Sequence, residues 1–112
     1  MMDVSEQQVG RVWVVTARGR LDGATSGAFA QRVEALVTGT EPRLLVDFAG
    51  VEFVSSAGLR AVLALVKKVK NVHGALALCA VQPAVREVLE ITGFAGMIDI
   101  HPERAAALTA LA

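Results

Sequence analysis

The hydrophobic pattern changes period between Leu44 and Val72. Leu44 to Phe48 (LLVDF) is a short apolar run, the composition of a buried strand. An apolar loop through Phe53 and Val54 comes next, and then Ser55-Ser56-Ala57-Gly58. Beyond it Leu59, Val62, Leu63, Val66 and Val69 recur at threes and fours, the signature of a helix with one apolar stripe. A strand therefore feeds a helix through a short turn. Ser56 falls at the predicted N-cap, where a hydroxyl accepts a hydrogen bond from a free N–H of the first turn. The helix dipole and unpaired N–H groups converge there, so the same position tolerates an anion.

The flanking sequence repeats the alternation. Residues 3–8 read as a weak edge strand, Val9-Gly10 as a turn and Val12 to Ala17 (VWVVTA) as a strand. Arg18 to Gly23 is a connection in which Asp22 caps the next helix or accepts hydrogen bonds across the turn. That helix is predicted from about Ala24 to Thr38, with Phe29, Val33, Leu36 and Val37 inward and Gly39 ending it. Pro42 opens the strand to Phe48. His73-Gly74 stops the central helix, Leu76 to Val81 is a strand, and Pro83 starts a helix reaching about Thr92, closed by Gly93. Met97 to Ile100 is a short strand, and Pro102 opens a last alanine-rich helix.

Strands alternating with helices imply a largely parallel sheet with right-handed crossovers, the first pair being antiparallel. The expected fold is α/β: a small mixed sheet carrying about four helices. At 112 residues one domain is expected over residues 1–112.

Composition narrows the function. Lysine plus arginine and aspartate plus glutamate balance at 11 each, which gives no electrostatic support for nucleic-acid binding. Lys67, Lys68 and Lys70 read as a solvated helix face. Apolar residues make up 54% of the chain but come in runs too short to span a membrane, and the N-terminus does not resemble a signal peptide. Cys79, the one cysteine, reads as a reduced core residue of a cytoplasmic protein.

Catalysis finds little purchase. The G-x-S-x-G elbow is absent around Ser55 and Ser56, and the two histidines, His73 and His101, are far apart in sequence. One cysteine and two separated histidines give no metal-ligand spacing. Neither a P-loop nor G-x-G-x-x-G occurs, so no cofactor is expected. Asp22 and Asp47 are acids by type only, with turn and strand-end hydrogen bonding as the simpler role. A serine at a helix start after an apolar loop is either a plain cap or a kinase substrate, and composition does not separate the two. Phosphorylation adds about −1.5 to −2 charges at pH 7.

The run LLVDFAGVEFVSSAGLRAVL resembles the signature of STAS domains, in particular the small free-standing bacterial anti-sigma factor antagonists. Gly19-Arg20-Leu21-Asp22, Gly74 to Cys79, Gln82 to Val85 and Leu89 to Phe94 resemble further landmarks of that family in the same order. The resemblance implies a small mixed sheet with helices mainly on one face. It implies a non-enzymatic regulator that acts by partner switching. The unphosphorylated form binds an anti-sigma factor that is also a serine kinase, and a sigma factor is released. The kinase phosphorylates the serine at the start of the central helix, and a PP2C-like phosphatase reverses this. Alignment on Gly58 places the phosphoacceptor at Ser56, with Ser55 as the alternative because it stands where the family often has Asp. Partner contacts are then expected from Asp22, Asp47, Phe53, Val54, Ser55, Ser56, Ala57, Gly58, Leu59 and Arg60. A STAS scaffold or subunit without phosphorylation, stressosome-like or serving a lipid-transport ATPase, is the rival reading, and a small serine-dependent enzyme a third. Asp22 and Asp47 are expected beside Ser56 at one end of the sheet.

Overall fold

The computed structural model describes residues 2–112. Strand β1 (Asp3–Val9) turns at Gly10, whose φ of 60° suits a residue without Cβ, and pairs antiparallel with β2 (Val12–Leu21). Then come helix α1 (Ser26–Glu34), β3 (Arg43–Val54), α2 (Ser56–Asn71), β4 (Ala75–Cys79), α3 (Pro83–Ile91), a short 3₁₀ turn (Phe94–Gly96), β5 (Asp99–His101) and α4 (Arg104–Leu111). The sheet order is β1-β2-β3-β4-β5, and every pair after the first is parallel.

That order explains the layering. Each parallel strand is added on the same side of the last, so crossovers of one hand place every connecting helix on one face. Phe29 and Val33 of α1, Val62, Leu65, Val66 and Val69 of α2, and Val85 and Leu89 of α3 share one core with Val15, Ala17, Leu44, Val46 and Phe48 of the sheet. Helix α4 comes after the last strand and is free of this rule. Its Ala107 and Leu111 pack on the opposite face against Val12, Val14, Leu45, Ala77 and Cys79.

The structure refines several predicted boundaries. α1 is shorter than expected: the N–H groups of Leu36 and Val37 bond to carbonyls three residues back, tightening the chain out of the helix, yet both side chains still pack on the core. On α2 the fully buried stripe includes Leu65, while Leu63 is half-buried. His73, not Gly74, takes the left-handed position after α2, at φ 60°. Gly74 is needed for room, since a Cβ there would lie 2.5 Å from the Pro42 carbonyl oxygen. β4 stops at Cys79 because Ala80 turns to φ 56°. Met97 is exposed and outside β5, which begins at Asp99.

The largest departure is in β3. The stretch after Phe48 is not a loop but a continuation of the strand to Val54, paired with β2 as far as Leu21. Two irregularities in the β2–β3 register, between Thr16 and Arg18 and between Gly19 and Arg20, let twelve residues of β3 lie against ten of β2. Each bulge reverses which side chains face the three-helix core. Leu44, Val46 and Phe48 point there before the first, Val51 between them, and Val54 after the second.

Candidate functional site

The extended β3 delivers Ser55 and Ser56 to the start of α2. Ser55, with extended backbone (φ −84°, ψ 175°), is the N-cap. Its Oγ accepts from the Gly58 N–H at 3.2 Å, and its own N–H donates to the Leu21 carbonyl at 2.9 Å. The expectation that Ser56 caps the helix is corrected by one residue: Ser56 is the first helical residue. Ser56 is exposed, and among the described residues its hydroxyl has no hydrogen-bond partner. The two serines thus divide the work, one hydroxyl spent on the helix and the other free.

Gly58 fixes where α2 begins. A Cβ on it would collide with the Leu21 carbonyl oxygen and Cγ, so only glycine lets the first turn of α2 rest on the end of β2. Leu59, at 5% exposure, and Val54, at 6%, pack beneath that turn. Three residues expected at a partner surface, Val54, Gly58 and Leu59, are therefore buried and hold the surface up from behind. Phe53, Ser56 and Arg60 are exposed, and Ser55 and Ala57 half-buried.

Asp22 lies on the same end of the molecule, directly after Leu21. It acts in the turn as the sequence suggests: its Oδ1 accepts from the N–H groups of Ala24 and Thr25 at 3.0 and 3.2 Å. Thr25 Oγ1 completes the turn by accepting from the Asp22 N–H at 3.0 Å and donating to the Arg20 carbonyl at 2.8 Å. Arg20 lays its guanidinium over the Phe53 ring, 4.1 Å from the centroid, with its Nε 4.0 Å from Asp22 Oδ2. Sequence reasoning does not single out Arg20 and Thr25 as site residues. Their signal is present but weak, a cation two residues before Asp22 and a hydroxyl three residues after it.

Asp47 does not join this group. It does not end its strand, because β3 runs seven residues further, and it pairs in register with Thr16 and Cys79. It faces α4, on the side of the sheet away from α2. There its Oδ2 accepts from Arg104 Nη2 at 2.8 Å and Nε at 3.2 Å, its Oδ1 accepts from the Ala49 N–H at 2.9 Å, and Arg104 also donates to Thr16 Oγ1 at 3.1 Å. The residue is 9% exposed, and its carboxylate anchors α4. Beside it, burial pushes the Cys79 thiol up to about 11; the Asp47 carboxylate adds to the rise and Arg104 opposes it.

The assembled surface is partly apolar, with the free hydroxyl of Ser56 beside the exposed Phe53. Among the described residues no cluster of three or more metal-ligating side chains occurs, and no helix is long and apolar enough to cross a membrane. Residues 3–107 match the STAS domain family. The chain belongs to that family. This STAS domain is 38% identical over 94 residues to BtrV of Bordetella bronchiseptica, which carries the provisional name of an anti-sigma factor antagonist; the match covers 80% of this chain and 81% of BtrV. It is 26% identical to the anti-sigma F factor antagonist of Paenibacillus polymyxa, over 89% of this chain and 86% of that one. The crystal structure of an anti-sigma factor antagonist from Mycobacterium paratuberculosis resembles it with a TM-score of 0.85 at 28% identity, covering 99% of this chain and 94% of the other. The mixed sheet with helices mainly on one face, expected from the sequence resemblance, is the fold of this STAS domain.

Proposed function

We propose that this STAS domain is a cytoplasmic anti-sigma factor antagonist that works by partner switching at Ser56. Its unmodified surface binds an anti-sigma factor with serine kinase activity, and the sigma factor is set free. Transfer of the ATP γ-phosphoryl group to Ser56 Oγ, with loss of the hydroxyl proton, ends that binding, and a PP2C-like phosphatase restores it. The names of its relatives support the antagonist role. The observation that carries the switch is the division between the two serines: Ser55 Oγ is held by the Gly58 N–H, while Ser56 presents an unengaged hydroxyl to solvent.

The physics of the switch rests on that position. A phosphate on the first helical residue lies at the positive end of the α2 dipole, so the fold tolerates it. An interface that covered a neutral hydroxyl beside Phe53 and Ala57 must instead desolvate about two negative charges, which opposes association.

Phosphorylation with the cognate kinase and ATP, followed by peptide mapping, is expected to place the phosphate on Ser56. Ser56→Asp is expected to lose partner affinity while melting like wild type, and Ser56→Ala to keep both. Phosphate on Ser55 would move the switch by one residue. Equal binding by Ser56→Asp and wild type would instead favour the unphosphorylated scaffold.

A further inference from the structure

At the other end of β3 from Ser56, a cleft of about 280 Å³ opens between the β1–β2 turn and the segment joining α1 to β3. Arg11 and Arg43 line it, together with Gln8, Trp13, Thr38 and Thr40. Both arginines are free. Arg20, Arg32, Arg86 and Arg104 each have a carboxylate oxygen within 4.0 Å, whereas Arg11 and Arg43, like the exposed Arg18 and Arg60, have none among the described residues. The Nε of Arg43 is, moreover, buried without a hydrogen-bond partner. A buried donor left unsatisfied is costly, and native structures pair nearly all of them.

Glu41 is the one carboxylate in the lining, so two cations against one anion leave the cleft with a charge of +1. Helix α1 ends on this side, and the partial negative charge of its carbonyl end lowers the local potential further. Recognition here must therefore come from direct hydrogen bonds by the guanidinium groups rather than from a broad positive field. Guanidinium forks match the oxygens of phosphate and carboxylate, and the two threonine hydroxyls and the Gln8 amide add neutral donors. The volume suits a small ligand. We propose that this cleft binds a small oxyanion, a phosphate ester or a carboxylate, held by Arg11 and Arg43 beside Trp13. The site lies away from Ser56 and stands whether or not Ser56 is a switch.

Trp13 is the only tryptophan, so its emission reports on the cleft directly. Intact protein is titrated with inorganic phosphate and, separately, with citrate, at constant ionic strength held with chloride. A saturating change in emission is expected with at least one of them, and the one that saturates tells phosphoryl from carboxylate recognition. Arg11→Gln and Arg43→Gln should each weaken it about tenfold, the worth of one charge-assisted hydrogen bond. Arg11 is exposed, so its variant is expected to fold even if the Arg43 variant does not. Ser56→Asp should bind the same anion as wild type does. Absence of saturation with both anions, an equal response to chloride alone, or unaltered binding by Arg11→Gln would overturn the assignment.

Discussion

On one face of the sheet, α1, α2 and α3 bury Phe29, Val33, Leu65, Val69 and Leu89 against Val15, Leu44 and Val46. On the other, α4 alone brings Ala107 and Leu111, and its fixed point is Arg104 on Asp47. The first face is held by apolar area, at about 1.5–3 kcal/mol for each large side chain fully buried. The second is held by a smaller apolar cluster, to which α4 brings Ala107, Leu111 and the half-buried Leu108, and by one partly buried ion pair. The three-helix face therefore carries the fold, while α4 is a separable layer whose docking depends on geometry. The Ser55–Ser56 corner is built from the robust face, and that suits a surface that must change charge without changing shape.

The sharpest test of this contrast is Leu65→Ala. It is expected to cost about 3 kcal/mol and to lower the melting midpoint by roughly 10 °C or more, as a cavity in a closed core does. A loss below about 1 kcal/mol would mean that the face relaxes and does not carry the fold.

Arg104→Ala comes next. It leaves the Asp47 carboxylate, whose side chain is 12% exposed, without its partner, while Arg104 itself is 39% exposed and partly solvated. The expected loss is about 1–3 kcal/mol. Amide exchange should rise in α4 and stay near wild type in α2. Equal acceleration in both helices would show that the layers unfold as one.

The two serines give a smaller contrast within the robust face. Ser55→Ala removes the cap and should cost about 1 kcal/mol in denaturant unfolding. Ser56→Ala should change stability by less than about 0.5 kcal/mol. The reverse ranking would exchange their roles.

The mildest change concerns Cys79, which lies under α4. Its pKa is raised from 9.0 to about 11 on folding, so the neutral thiol is favoured in the folded state. The corresponding stability is fully present below about pH 9 and is lost as the pH rises toward about 11. Over that window wild type should lose stability more steeply than Cys79→Ala. Parallel slopes would mean that α4 admits solvent to the thiol.

Much of this architecture is legible because the hydrophobic period changes cleanly. LLVDF reads as a strand and Leu59 to Val69 as a helix without outside help. Local pattern does not reveal the face chosen by α4, because an alanine-rich helix of eight residues has little sidedness to read. The second half of β3 reads as a loop for a definite reason. Its inward residues are Phe48, Val51 and Val54, spaced by threes, so the twofold alternation that marks a strand is missing. The loop reading shortens the strand and puts Asp47 at its end, beside a serine that in fact lies several residues of strand and one face of the sheet away. Ser56 is marked by its neighbours Ala57-Gly58-Leu59, yet two adjacent serines offer the same capping chemistry, and only the backbone conformation assigns the cap to Ser55.

The paired irregularities of β3 also govern how the chain tolerates a change of length. Each irregularity seats one surplus residue of β3 against β2, so a deletion at one of them would remove that residue and its reversal together, and the side chains beyond would keep their faces. A deletion between Leu44 and Val46, where the two strands pair one to one, has no surplus residue to remove and would turn the side chains on one side of the cut to the opposite face. The presentation of Ser56 is thus buffered by two surplus residues, and a single deletion at either irregularity should be milder than one between Leu44 and Val46.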